Sequence, residues 1–86
     1  MQLFRHKNFT KQYQKLSSKQ KNLIDEAIFL FYKNPLDAKL RNHPLKGKFK
    51  GCSSIDVAFD LRIIFKQEKK YAVVVLLKVG SHSQLY

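Results

Sequence analysis

The first third of the chain has apolar residues at helical spacing. Phe9, Tyr13 and Leu16 recur at intervals of four and three, which places them on one face of a helix. Ser17 followed by Gln20 is the pattern of a capping box and predicts the start of a second helix. The buried stripe of that helix would consist of Leu23, Ile24, Ala27, Ile28 and Phe31. We expect it to end at Asn34-Pro35, because a residue before proline avoids helical geometry.

Strand patterns occur at the beginning of the chain and after Gly51. Residues 2–6 predict a short strand, and Ile55, Val57 and Phe59 then alternate with more polar positions. One strand over residues 54–66 would be about 43 Å long, which exceeds the usual length, so a bend is expected near Phe59 and Asp60. A turn at residues 67–70 and a last strand at 71–79, ended by Gly80, complete the prediction.

This order of elements predicts one α+β domain over residues 1–86. Its two N-terminal helices would pack on one face of a small, mainly antiparallel sheet and leave the other face open. The connection over residues 35–47 is basic and too long for a simple turn, which is typical of a functional loop.

The charge of the chain favours a polyanionic partner. Seventeen Lys and Arg against six Asp and Glu give a formal net charge of +11 on 86 residues. Residues 1–50 carry +9 of this and residues 51–86 only +2. We therefore expect the N-terminal half to hold RNA and the more balanced half to supply most of the chemistry.

Cysteine content and hydropathy favour the cytoplasm. The single cysteine, Cys52, cannot form an internal disulfide, whereas small domains of oxidising compartments usually have several. The charged N-terminus does not have the pattern of a signal peptide. The longest apolar stretch, residues 72–77, is much shorter than the roughly 20 residues of a membrane-spanning helix. We expect no membrane association.

The predicted open face and its margins carry the candidate reactive groups, which are His43, Asp56, Asp60, Arg62 and His82. Cleavage of RNA needs a base for the 2′-hydroxyl proton, an acid for the departing 5′-oxygen and cations for the phosphorane charge. His43 or an aspartate could be the base and His82 the acid. Arg62 could stabilise charge with help from Lys46 or Lys48, and Phe49 or Tyr86 could stack on a base.

Each of these residues also has a purely structural interpretation. His43 could be a solvated loop residue, Asp60 a turn former, and Asp56 a cross-strand partner of Arg62. Tyr86 could be frayed at the chain end, and His6 is expected to be structural or solvated. The three histidines and one cysteine lack metal-ligand spacing, and we expect neither a metal nor another cofactor.

Four runs of residues resemble a known family, the RelE/ParE toxin superfamily and its YafQ branch. They lie at residues 41–51, 54–57, 60–62 and 80–86. The specific parts are His-Pro-Leu-Lys-Gly at 43–47 and the closing Gly-Ser-His-Ser-Gln-Leu-Tyr at 80–86. The resemblance extends over nearly the whole chain. It implies a toxin of a type II toxin–antitoxin pair, neutralised by a cognate antitoxin, that cuts mRNA without metal in the ribosomal A site beside 16S rRNA.

The resemblance also implies roles for particular residues. His43, Asp60 and His82 match the catalytic positions of the branch, Tyr86 matches its terminal aromatic, and Arg62 resembles an arginine near the scissile phosphate. His82 is then expected to be the general acid and His43 or Asp60 the base or its orienting group, although acid and base could be exchanged.

Two other functions fit the same sequence. A ParE-like toxin would inhibit DNA gyrase without nuclease activity and would not need paired histidines. A non-catalytic RNA-binding protein would need only the positive charge.

Overall fold

A computed structural model describes residues 1–86 as a five-stranded sheet with two helices on one face. Strands β1 (Gln2–Arg5), β2 (His43–Pro44), β3 (Ser53–Ala58), β4 (Leu61–Glu68) and β5 (Val73–Gly80) lie in the order β1-β5-β4-β3-β2. Only the β1–β5 pair is parallel. The predicted α+β class and the mainly antiparallel sheet are confirmed.

The two predicted helices form, and the second has the predicted capping box. Helix α1 spans Lys7–Gln14, and its N-cap is His6, whose Nδ1 accepts a hydrogen bond from the Asn8 N–H across 3.0 Å. His6 is therefore structural, as expected. Helix α2 spans Ser18–Lys33; it begins with the Ser17–Gln20 capping box and ends at Asn34. Neither these helices nor the short C-terminal one is long and apolar enough to cross a membrane.

The core lies between the helices and the sheet. Phe9 of α1 and Ile24 and Phe31 of α2 are fully buried against the apolar face of β3, β4 and β5. The edge of the Phe31 ring meets Phe65 of β4, with the ring centroids 4.9 Å apart. Burial of each such side chain stabilises the fold by about 1.5–3 kcal/mol.

Phe59 departs from the predicted alternation. It was expected to continue the apolar face of Ile55 and Val57, but it lies in the two-residue β3–β4 turn and its side chain is completely exposed. Asp60 beside it adopts the left-handed conformation with φ 54°, which aspartate tolerates better than most residues. The turn therefore ends the alternation before Phe59.

The β4–β5 turn lies later than predicted. Strand β4 continues to Glu68, and Lys69, Lys70 and Tyr71 all have positive φ, so β5 begins only at Val73. The Gln67 side chain accepts a hydrogen bond from the Tyr71 N–H across 2.8 Å and stabilises this turn.

The second sheet face is covered in part, whereas an open face was predicted. Ile64 lies on the strand face opposite to Ile63, yet both are fully buried. A C-terminal helix, α3 (His82–Leu85), follows β5, and its Leu85 is buried. The sequence contains the capping box of this helix, Ser81 with Gln84, but the prediction stopped at Gly80. The C-terminal residues are thus a packed part of the fold.

Candidate active site

A cross-strand ion pair forms the centre of the site. Asp56 of β3 lies opposite Arg62 of β4, one position away from the buried Ile55–Ile63 pair, so both point away from the two long helices. The Arg62 Nε donates to Asp56 Oδ1 across 3.2 Å, and both side chains are mostly shielded from solvent. Asp56 thereby holds the guanidinium through Nε and directs its two terminal nitrogens toward other partners.

Arg41 brings a second guanidinium to the same carboxylate. Its Nε lies 3.6 Å from Asp56 Oδ2, and 79% of its side chain remains exposed. Arg41 follows a short 3₁₀ helix (Ala38–Leu40) and has the left-handed φ of 48°, which turns the chain from that helix toward His43. Asp56 therefore holds two positive groups beside each other.

His43 reaches the site from the edge strand. Strand β2 is only two residues long and pairs His43 with Ser54 of β3. The His43 Nδ1 lies 2.8 Å from the carbonyl oxygen of Arg41. Because a carbonyl can only accept, Nδ1 must carry the proton, and in the neutral ring Nε2 is left as a proton acceptor.

His82 reaches the site from the start of α3 and has the opposite arrangement. Its Nδ1 lies 2.9 Å from Nη1 of Arg62. A guanidinium can only donate, so Nδ1 is the acceptor here and the proton of the neutral ring is on Nε2. The two imidazoles thus expose ring nitrogens of opposite kind, an acceptor on His43 and a donor on His82.

Asp60 connects the β3–β4 turn to α3. Its Oδ1 accepts a hydrogen bond from the backbone N–H of His82 across 3.0 Å. This N–H is in the first turn of a helix and has no partner within it, so the carboxylate acts as a second cap beside Ser81. The bond positions the backbone that carries the His82 imidazole.

Aromatic side chains enclose one side of His82. The Tyr86 ring lies 4.7 Å from the imidazole of His82, centroid to centroid, and Phe49 meets Tyr86 edge-on at 5.5 Å. Tyr86 is therefore packed rather than frayed, although 42% of it is exposed. The ammonium groups of Lys48 and Lys78 each lie 5.3 Å from the centre of the Phe49 ring.

Two adjoining hollows contain most of the predicted site residues. The larger, of about 700 Å³, is lined by Asp60 and by Lys39, Val57, Ala58 and Phe59. The smaller, of about 290 Å³, is lined by His43, Leu45 and Tyr86. Arg41, Asp56, Arg62 and His82 line both. Lys46, Lys48 and Phe49 line neither, and no three His, Cys, Asp or Glu side chains are grouped as metal ligands.

Sequence reasoning missed four residues at the site: Lys39, Arg41, Phe59 and Lys78. Arg41 precedes the predicted His43 by two positions and lies in the basic connection over residues 35–47, which could have identified it as a site residue. Phe59 was missed because its place in the alternation with Ile55 and Val57 predicted a buried side chain. Lys78 comes near Phe49 only through the β4–β5 pairing and the position of residues 47–49.

Comparisons with known proteins match the whole chain to one family and one fold. A family model described as a bacterial toxin of type II toxin–antitoxin systems, YafQ, matches residues 1–86. The crystal structure of YafQ from E. coli strain BL21(DE3) superposes with a TM-score of 0.81 at 25% sequence identity, covering 98% of this chain and 96% of that one. No relative was found among curated protein sequences.

Two further structures show the same fold. A metal-bound toxin from Helicobacter pylori has a TM-score of 0.76 at 26% identity, with 100% of this chain and 99% of that one covered. The E. coli DinJ–YafQ toxin–antitoxin complex contains a chain with a TM-score of 0.77 at 25% identity, with 98% and 94% covered.

Proposed function

The chain belongs to the YafQ family of type II toxins, and we propose that it is an endoribonuclease that cuts translated mRNA by acid–base catalysis. Residues 1–86 would act as one toxin domain in the cytoplasm, on mRNA in the ribosomal A site. One observation carries the proposal of catalysis. His43 and His82 line one hollow beside Arg62, and their hydrogen bonds leave an acceptor nitrogen on one ring and a donor nitrogen on the other.

His43 is the general base in this proposal. Its Nδ1 donates to the Arg41 carbonyl, which orients the ring and leaves Nε2 to take the proton of the 2′-hydroxyl. The 2′-oxygen then attacks the adjacent phosphorus. We assign Asp60 a positioning role, because its Oδ1 accepts the backbone N–H of His82.

His82 is the general acid and Arg62 the charge stabiliser. An incoming phosphate competes for Nη1 of Arg62, which frees Nδ1 of His82 to take up a proton from bulk solvent. The resulting imidazolium donates its Nε2 proton to the 5′-oxygen as the bond from phosphorus to that oxygen breaks. His43 later returns the proton of the 2′-hydroxyl to the solvent, so the cycle consumes no net proton. The products are a 2′,3′-cyclic phosphate and a 5′-hydroxyl, and a base and an acid so placed contribute about 10²–10⁴-fold each.

The two aspartates position these groups. Asp56 holds Arg62 through Nε and pairs with Arg41, so that Nη1 and the second terminal nitrogen face the phosphate. Asp60 holds the backbone of His82. Tyr86, packed on the His82 ring, stacks on a base beside the scissile phosphate.

The remaining predicted binding residues lie outside the hollows. Lys46 and Lys48 are exposed and belong to the half of the chain with a charge of +9. We assign them to contacts with the phosphates of mRNA and 16S rRNA. Phe49 supports Tyr86 through its edge-on contact.

A cognate antitoxin is the expected protein partner. The DinJ–YafQ complex gives a precedent for such a pair, and a toxin with a net charge of +11 favours an acidic antitoxin. Binding of such a protein across the cationic hollows would block the approach of mRNA.

Primer extension on an mRNA translated with the purified toxin tests the proposal. We expect cuts in the wild-type reaction, a 2′,3′-cyclic phosphate at the new end, and no cut where the attacking nucleotide is 2′-deoxy. His43→Ala and His82→Ala should each lower cleavage by about 10²–10⁴-fold. Undiminished cleavage by both variants would refute the assignment.

Two other results would identify the alternative functions. Inhibition of gyrase supercoiling without RNA cleavage would identify a ParE-like toxin. RNA binding without either activity would identify a non-catalytic RNA-binding protein.

A further inference from the structure

Phe59 is a completely exposed aromatic residue at the rim of the site. It occupies the two-residue turn between β3 and β4, and no part of the fold covers its ring. Turns of this kind favour Gly, Asn and Asp, and it is Asp60 that adopts the left-handed conformation here. Neither the turn nor the core accounts for a phenyl ring at this position.

Phe59 and Tyr86 line different hollows of the site. Both hollows share Arg62 and His82, whereas Phe59 lines only the larger and Tyr86 only the smaller. A single strand of RNA with its scissile phosphate at Arg62 and His82 would extend into both hollows. One neighbouring base would then lie near Tyr86, and another near Phe59.

The charges around Phe59 fit a nucleotide. Lys39 and Arg41 line the same hollow, and both are exposed. Positive side chains beside an exposed aromatic ring are the combination that binds single-stranded nucleic acid, because the cations contact phosphates and the ring stacks on a base. A purely apolar protein partner would offer no counter-charge to Lys39, whereas Arg41 already has one in Asp56.

We propose that Phe59 stacks on an unpaired base of the RNA, on the opposite side of the scissile phosphate from the base bound at Tyr86. This inference rests on the proposed nuclease function and extends it to the path of the substrate. Since every base has a π face, the contact positions the strand without selecting one base. Lys39 and Arg41 neutralise the phosphates of the same segment.

Binding of a short single-stranded RNA, uncleavable because its attacking nucleotide is 2′-deoxy, tests the proposal by fluorescence anisotropy. Phe59→Ala should weaken binding about tenfold, and Phe59→Trp should retain it. The matched control is Phe29→Ala, because Phe29 is 61% exposed on α2 and lines neither hollow. It should bind as the wild type does.

A scan of abasic nucleotides along the same RNA identifies the stacked base. At one position, removal of the base should weaken binding to the wild type about tenfold and have little further effect on Phe59→Ala, which is the coupling expected of two groups in contact. Wild-type affinity in Phe59→Ala, abasic effects that are equal in both proteins, or no RNA binding by the wild type would overturn the proposal.

The outcome is independent of catalysis. Coupling between Phe59 and one base without any cleavage of translated mRNA would support the stacking contact and reject the nuclease. Cleavage of translated mRNA with no effect of Phe59→Ala on binding would support the nuclease and reject the stacking contact. Normal RNA binding by Phe59→Ala combined with loss of antitoxin binding would assign the ring to the antitoxin interface and overturn the proposal.

Discussion

The carboxylate of Asp60 accepts a hydrogen bond from the backbone N–H of His82 across 3.0 Å, and so connects the β3–β4 turn to the C-terminal helix. These residues are 22 positions apart in the chain. Through this bond a turn residue controls the position of an imidazole that we assign to proton transfer. We therefore expect Asp60 to position His82 rather than to transfer a proton itself.

Asp60→Asn should retain most of the cleavage activity. The side-chain carbonyl of the introduced asparagine can accept the same hydrogen bond, and asparagine tolerates the left-handed φ of 54°. Asp60→Ala lacks the acceptor and is strained at this φ, so we expect it to lose about tenfold or more in rate. Primer extension with both variants measures this. If Asp60→Asn were as inactive as Asp60→Ala, Asp60 would be a proton carrier instead.

Arg62→Lys should be much less active than the wild type, although it retains the charge. The guanidinium holds Asp56 through Nε and, in our proposal, a phosphate through its terminal nitrogens, whereas the single ammonium group of lysine cannot do both in this geometry. We expect cleavage to fall by about 10²–10³-fold, the usual cost of losing one donor to a transition-state oxyanion. Lys66→Ala, an exposed change farther along β4, is the control. A fully active Arg62→Lys protein would show that Arg62 does not need to bind Asp56 and a phosphate at the same time.

RNA binding and RNA cleavage should respond differently to salt and to the histidine substitutions. With a net charge of +11, the affinity should fall steeply and linearly on a log–log plot against salt concentration. His43→Ala and His82→Ala should follow the same line as the wild type while cleavage is lost. Anisotropy titrations at several salt concentrations measure the slopes. An affinity loss as large as the cleavage loss would place the histidines in binding.

Ser54→Ala should leave the free energy of unfolding unchanged or raise it by about 1 kcal/mol. The Ser54 hydroxyl is completely buried without a hydrogen-bond partner, so alanine removes a desolvation penalty at small cost in volume. Urea unfolding followed by circular dichroism measures the difference. A clear loss of stability would show that the hydroxyl has a favourable interaction in the fold.

Tyr13 should ionise at a higher pH than an ordinary tyrosine. Its hydroxyl donates to Asp25 Oδ1 across 2.8 Å, and this hydrogen bond, with burial and the carboxylate charge, raises the pKa of Tyr13 above 10.0. Since the folded pKa is the higher one, the bond stabilises the fold at pH below 10.0 and its contribution is lost as the pH rises through the folded value. The difference between the ultraviolet tyrosinate titrations of the wild type and of Tyr13→Phe isolates the ionisation of Tyr13, and a midpoint at or below pH 10.0 would contradict the prediction.

Much of the fold followed from local patterns. The stripe of Ile24, Ala27 and Phe31 predicted the packed face of α2, and Ser17 with Gln20 predicted its first turn. These signals are reliable because helix periodicity and capping depend on residues only three or four positions apart. The family resemblance was likewise confirmed over residues 1–86, since it depended on short runs of residues.

The sequence by itself determined the class of the fold, the order of its two longer helices and four of its five strands, and the residue types available for chemistry. Only the tertiary structure decided that Arg41 and Arg62 share one carboxylate, that His43 donates where His82 accepts, and that Phe59 is exposed rather than buried. The reason is that each of these relations depends on the strand register, the two-residue β3–β4 turn or the return of the C-terminus to that turn. Such contacts join residues that are distant in the chain, and no local periodicity encodes them.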